Sequence, residues 1–216
     1  MTRLAVLGGT GTLGFGLAIR FCAAGYDVVI GSRDAARATA IAERLKLYHA
    51  TGAANADAAR SADIVVLAIP HEGHAEFVRS LAGVLLGKIV VDATVPMGPD
   101  QTYTPPPAGS AAAETQALVP AARVVVAFHT LSGRLCADLE RPLDQDVLVC
   151  SGDPEARARV IDLVNSIGAR GVDAGGLAYA STIEALAVLV ISLNIRYRRR
   201  NLGIRIAHLP PDARPR

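Results

Sequence analysis

Gly9-Thr10-Gly11-Thr12-Leu13-Gly14 directly follows the apolar run Leu4-Ala5-Val6-Leu7 and opens a helical stretch over residues 13–24, which Gly25 ends. In a strand–loop–helix unit the first glycine permits the tight turn and the second lets the backbone approach a pyrophosphate. The third lets helix and strand pack closely. Peptide N–H groups at the helix start then face the phosphates, with the positive end of the helix dipole behind them. A bare G-x-G-x-x-G is a weak signal. Here a second strand, Asp27-Val28-Val29-Ile30, follows the helix, and that context predicts a dinucleotide site.

The end of the second strand selects the cofactor. An acid there would accept hydrogen bonds from a ribose 2′-OH and repel a 2′-phosphate. The chain has Gly31-Ser32-Arg33-Asp34, with Arg37 one helical turn beyond Arg33. A guanidinium can hold a phosphate bidentately and a serine can add a hydrogen bond, so the reading is NADP(H). Asp34 is read as a helix N-cap that faces its own backbone amides.

Strand-like runs continue at residues 63–69, 88–92, 123–128, 146–150 and 171–173, alternating with helical stretches such as 34–47. Continuous apolar strands suit a sheet covered on both faces. The expected fold is therefore α/β: a doubly wound, mainly parallel Rossmann-type sheet with a small C-terminal helical extension. The expected division is a Rossmann domain over residues 1–175, then a helical region and mobile tail over 176–216. Residues 97–109 carry Pro99, Pro105, Pro106 and Pro107 and read as a surface loop after a strand's C-terminal end, where open sheets place substrates. A long helix pattern covers residues 177–200, ending in Arg196, Arg198, Arg199 and Arg200. That cluster suits either a solvated helix end or an anionic ligand.

A chain of 216 residues with 51% apolar and 19% charged residues is a folded protein with one sizeable core. A net charge of +2 gives no general attraction for nucleic acid or an anionic membrane. Cys22, Cys136 and Cys150 form no C-x-x-C pair and read as reduced core thiols of a cytoplasmic protein. No signal-peptide pattern opens the chain, and the apolar stretch 185–195 is shorter than a bilayer span.

His129 is a polar residue at the C-terminal end of an apolar strand, the ligand face of such a sheet. It reads either as a ring-positioning residue or as a histidine satisfied by backbone. His71 and His74 form an H-x-x-H without a nearby third ligand, so no metal site is expected. No Tyr-x-x-x-Lys occurs, and the only lysines are Lys46 and Lys88. An alcohol dehydrogenase needs a positioned acid or base; transfer between two ring cofactors has less need of one.

From about residue 3 to 206 the chain resembles the F420-dependent NADP reductases. The matching stretches are Ala5-Val6-Leu7-Gly8-Gly9-Thr10-Gly11, Ile30-Gly31-Ser32-Arg33, Ala62-Asp63-Ile64-Val65-Val66-Leu67 with Ile69-Pro70, and Gly87-Lys88-Ile89-Val90-Val91-Asp92 with Val95-Pro96. Ala127-Phe128-His129, Asp146-Val147-Leu148-Val149-Cys150, Asp173-Ala174-Gly175, Glu184-Ala185-Leu186 and Leu202-Gly203-Ile204 continue the set. The resemblance implies hydride exchange between NADP(H) and the deazaflavin coenzyme F420 in a homodimer. It implies that Thr10, Ser32, Arg33 and Arg37 surround the 2′-phosphate, and that Thr12 and Leu13 meet the pyrophosphate. Ile69, Pro70 and His71 would line the nicotinamide half, Val95, Pro96 and Met97 the cleft floor, and His129 and Leu131 the meeting point of the rings. Gly73 stands where the family leads one to expect a histidine, and the proline-rich loop is local to this chain. Rival functions are a non-catalytic NADP(H)-binding redox sensor and an NADPH-dependent reductase of another small substrate or flavin. An imine or β-hydroxyacid reductase would need a larger helical second domain than the residues after Gly176 supply.

Overall fold

The computed structural model describes residues 2–45 and 50–210. The first half contains β1 (Arg3–Leu7), α1 (Thr12–Ala23), β2 (Asp27–Ser32), α2 (Ala35–Glu43), β3 (Thr51–Ala54), α3 (Asn55–Ser61), β4 (Ile64–Leu67) and α4 (His74–Leu85). Then follow β5 (Ile89–Asp92), α5 (Ala111–Leu118), β6 (Arg123–Val126), α6 (Gly133–Ala137), β7 (Asp146–Ser151), α7 (Pro154–Ser166), β8 (Arg170–Asp173) and α8 (Ala180–Arg196). The strands form one sheet in the order β3-β2-β1-β4-β5-β6-β7-β8. Every pair is parallel except β6 with β7. This is the doubly wound, mainly parallel sheet expected from the alternating strands and helices.

Alternate residues of each strand serve opposite layers, as strand geometry requires. Leu4 and Val6 pack with Leu17 and Phe21 of α1, in a layer that α2, α6 and α7 complete. Ala5 and Leu7 face the other way, onto Ala58 of α3 and Val78 of α4, in a layer shared with α5 and α8. Each large side chain so buried contributes about 1.5–3 kcal/mol.

β3, which the apolar pattern does not reveal, is Thr51-Gly52-Ala53-Ala54. Its small residues have a packing cause: a Cβ on Gly52 would lie 2.3 Å from the backbone of Ala38 in α2. The second helix, expected over 34–47, is assigned over Ala35–Glu43, and residues 46–49 lie outside the described ones. The last helix ends at Arg196, four residues before the predicted end, and Arg198 turns with φ +51°. The expected mobile tail begins at His208, and residues 211–216 lie outside the described residues. Leu177–Arg196 is a 20-residue helical run with an 18-residue window of mean hydropathy 1.7, so by length and composition it could cross a membrane, contrary to the shorter estimate from 185–195. A third of it is buried against the protein, including Ala180, Ile183 and the fully buried Glu184.

Two close contacts fix α6 against α1. A Cβ on Gly133 would lie 2.6 Å from the Leu13 Cα, and one on Gly16 would lie 2.3 Å from the Gly133 carbonyl oxygen. Buried Arg20 of α1 then donates to the carbonyls of Cys136 (2.9 Å), Leu135 (3.2 Å), Arg141 (2.7 Å) and Asp138. These include carbonyls at the end of α6 that no helical N–H can reach. Arg20→Met keeps the bulk and strands those carbonyls, so it should lower stability by about 2–4 kcal/mol, seen as a lower urea midpoint with an unchanged slope.

Candidate functional site

At the end of β1 the chain turns through Gly8 at φ +79°. A Cβ on Gly14 would lie 2.4 Å from the Gly8 carbonyl oxygen, and one on Gly9 would lie 2.8 Å from that of Val6. The loop therefore accepts only glycine at both places. Gly11 caps α1 without a side-chain hydrogen bond. Gly11 and Thr12 are exposed, while Thr10 and Leu13 are half-buried, so the start of α1 lies open. Beside it a groove runs between α1, α2 and α6, lined by Thr10, Thr12, Phe15, Arg44 and Arg134. The Arg44 guanidinium lies 5.0 Å from the Phe15 ring centre, a contact absent from the sequence reading.

At the end of β2, Asp34 Oδ1 accepts from the N–H groups of Ala36 (2.9 Å) and Arg37 (3.3 Å). The carboxylate is turned into its own helix, as the capping argument expects. Ser32 is buried and its Oγ accepts the Asp34 N–H at 3.3 Å. Its own proton remains available for donation. Arg33 and Arg37 are exposed and make no ion pair among the described residues.

The other candidates sit at the ends of β4, β5 and β6. Ile69 and His71 are half-buried and Pro70 exposed; Val95 is half-buried, Pro96 buried and Met97 exposed. Main-chain bonds from Ala68 to Leu7 and from Ala93 to Leu67 stitch these turns together. After β6, Phe128 adopts φ +69°, a costly conformation for a bulky residue. Its ring is buried edge-on against Phe21, with centres 5.9 Å apart. This forced turn sets the buried His129 and Leu131 just beyond the C-terminal end of β6.

His129 Nε2 donates to the Thr94 carbonyl at 3.1 Å. Burial pushes its pKa down despite the nearby Asp92, so the ring is neutral and Nδ1 carries a lone pair. Among the described residues Nδ1 has no partner, and neither do Thr94 Oγ1, His71 Nδ1 and Asn55 Oδ1. These buried polar atoms lie at or just beyond the ends of successive strands β3 to β6, on the ligand face. Unpaired buried polar atoms are costly, and a polar ligand would relieve them. Asn55 was not a sequence candidate because the strand before it carries no apolar signal. Ser32 and His129 are four strand spacings apart, about 19 Å, so a ligand touching both must be elongated.

Below the β4 and β5 turns lies a charged cluster that sequence reading did not assemble. His74, the first residue of α4, follows Gly73 at φ +76° and is fully buried. Its Nε2 donates to Asp92 at 3.0 Å and its Nδ1 to Glu114 at 2.9 Å. Thr115 Oγ1 also donates to Asp92 at 2.7 Å, and the Thr94 N–H does so at 2.9 Å. Burial alone would lower the His74 pKa, but the bonds and charges of Asp92 and then Glu114 raise it to about 9. Burial alone would raise Asp92; His74, Thr115 and Thr94 bring it to about 2.

The proline-rich loop is tied down rather than free. Tyr103 OH bonds to Glu184 Oε2 at 3.0 Å and to the Gly109 carbonyl at 3.1 Å. Glu184 also accepts from the N–H groups of Ala111 and Ala112 at the start of α5. Burial pushes this carboxyl up to about 7 against those bonds.

A glycine loop at the switch point of a doubly wound sheet, with an uncapped helix start and unpaired polar atoms along the strand ends, defines a dinucleotide-binding protein of the Rossmann class. The chain is 39% identical over 221 residues to the F420-dependent NADP reductase of Methanocaldococcus jannaschii, covering 96% of this chain and 99% of that protein. The Methanothermobacter thermautotrophicus F420-dependent NADP reductase is also 39% identical, with 96% of each chain covered. A solved structure from Arthrobacter sp. FB24, provisionally described as an F420 dependent NADP-reductase, superposes with a TM-score of 0.83 at 31% identity. It covers 96% of this chain and 100% of that one. The family model "NADP oxidoreductase coenzyme F420-dependent" matches residues 3–96. The chain belongs to this family.

The His74–Asp92 pair gives a pH signature. The His74 pKa is raised above its ordinary 6.5, so its stabilisation is complete below pH 6.5 and lost as pH rises through about 9. That loss amounts to about 3 kcal/mol. The matching loss from Glu184 is centred on about pH 7 and mostly complete by about pH 8. Urea unfolding between pH 7 and 8.5, below the range where the raised thiols Cys22, Cys136 and Cys150 contribute, should therefore show a steeper fall in stability in the native protein than in His74→Gln.

Proposed function

We infer that the protein is an oxidoreductase that moves a hydride between NADP(H) and the deazaflavin coenzyme F420. The observation that carries this reading is the 39% identity to F420-dependent NADP reductases along nearly the whole chain. The two cofactors, when bound, supply the hydride donor and acceptor carbons. The protein's part is to hold them about 3–3.5 Å apart and to exclude water.

The residues divide that work. Gly9, Gly11, Thr12 and Leu13 present backbone to the pyrophosphate, where a side chain on Gly9 would collide with Val6. Thr10, Ser32, Arg33 and Arg37 hold the 2′-phosphate; the free Ser32 proton and the turned-in Asp34 carboxylate support that role. Ile69, Pro70 and His71 line the nicotinamide half, and Val95, Pro96 and Met97 floor the cleft. Leu131 packs and His129 orients the rings, its unpaired Nδ1 serving as acceptor. No residue need take a proton from carbon. The working form is a homodimer, supported by exposed apolar side chains such as Leu189 and Ile195 on α8. A cytoplasmic location is supported by three buried free thiols, Cys22, Cys136 and Cys150.

Mixing the purified protein with NADPH and oxidised F420 should bleach both chromophores in equal amounts. Tight NADPH binding without exchange would favour a redox sensor. Reduction of a flavin but not of the deazaflavin would favour a different reductase. In the double variant Ser32→Asp, Arg33→Ala the Kd for NADPH should rise about 10- to 150-fold, the worth of a charge-assisted phosphate contact. The Kd for NADH should change only a few-fold; equal losses would remove the 2′-phosphate role.

A further inference from the structure

We propose that His74 is a positioning residue for the ring cleft: held at both ring nitrogens by Asp92 and Glu114, it keeps the neighbouring His71 an uncharged ring beside the nicotinamide. The last part rests on the assignment of His71 to the nicotinamide half; the hold on His71 does not.

The geometry makes His74 a cation. A neutral imidazole has one donor nitrogen, yet both of its nitrogens face carboxylate oxygens, at 3.0 and 2.9 Å, in a side chain with no exposed surface. The His71 ring lies 5.9 Å from it, centre to centre. His71 Nδ1 is buried and has no hydrogen-bond partner among the described residues. An imidazolium there would set a second cation beside the first and leave a buried N–H without an acceptor. Burial and the charge of His74 lower the His71 pKa, against opposing pulls from Glu114 and Asp92. The charged groups that face His71 are thus His74 from α4, Glu114 from α5 and Asp92 from β5. Glu72, next to it on the same turn, is exposed.

The consequence concerns balance between the two forms of one cofactor. The oxidised nicotinamide is positively charged and the reduced one is neutral. A cationic His71 would weaken binding of the oxidised form alone and bias a reaction that has to run between two redox partners. Asp92 links the device to the rest of the cleft, because it also accepts the N–H of Thr94, whose carbonyl holds His129.

The test reads His71 directly, in the cofactor-free protein, by NMR of labelled histidine, with His71→Gln identifying the signal. In His74→Gln, His71 should bind its proton about tenfold more tightly than in the native protein. Should that variant fail to fold, His74→Gln with Asp92→Asn removes both charges and should raise the midpoint in the same direction by less. An unchanged or lowered His71 midpoint in a folded variant overturns the proposal. Binding of NADP+ and NADPH forms the second arm. In His74→Gln the ratio of their Kd values should rise several-fold from about pH 8 to about pH 6, and it should stay nearly flat in the native protein. A raised His71 midpoint with a flat ratio overturns the placement of His71 at the nicotinamide and leaves its control by His74 standing.

Discussion

Helix α1 meets the loop that precedes it with no side chain between them: a Cβ on Gly14 would fall 2.4 Å from the Gly8 carbonyl oxygen. That contact sets how far the helix start stands from the end of β1, and so how close its N–H groups come to anything bound there. The same bare approach recurs on the helix's flank. Gly16 meets Gly133, and Gly133 meets Leu13. Helix α6 can then lie against α1 and bring Leu131, just before it, to the same end of the sheet. Three glycines in two helices thus fix the spacing between the phosphate loop and the β6 turn.

What the sequence made legible was whatever depends on local order. Strands of Val and Ile, the glycine loop and the Ser32-Arg33-Asp34 turn each carry their chemistry within a few residues. Asp34 shows this well, because capping is decided by a side chain and the amides two and three places on. The missing pieces depend on neighbours distant in sequence. β3 is Gly and Ala because α2 presses on it, which erases the apolar alternation. The role of His74 requires Asp92 and Glu114, 18 and 40 positions away. Phe128 offers no hint of a left-handed turn, since the packing against Phe21 imposes it. Asn55 could have been found only after β3 was placed.

Buried cations act as joints in this chain. Arg20 ties α1 to the carbonyls behind α6, and His74 ties the start of α4 to β5 and α5. Both are surrounded by acceptors, the condition under which a buried charge is tolerable. Each stands under one part of the cleft: Arg20 supports the element after Leu131, and His74 supports the turns that carry His71 and Thr94. Rigid support of this kind keeps side chains within the narrow tolerance that ring-to-ring transfer demands.

The antiparallel reversal at β7 brings the start of that strand to the ligand face, and there the segment from Arg200 to Ile206 is tied on by its own backbone. Ser132 Oγ donates to the Arg200 carbonyl, Gln145 to that of Asn201, and the Asp146 N–H to that of Ile204. The Ile206 N–H returns a bond to the Asp146 carboxylate. Gly203 alone is fixed by contact, against Gln145. A strap recognised through its main chain leaves its side chains uncommitted. The arginines from Arg198 to Arg200 are therefore an adjustable electrostatic rim, one that drift or selection can rewrite without loosening the fold beneath it.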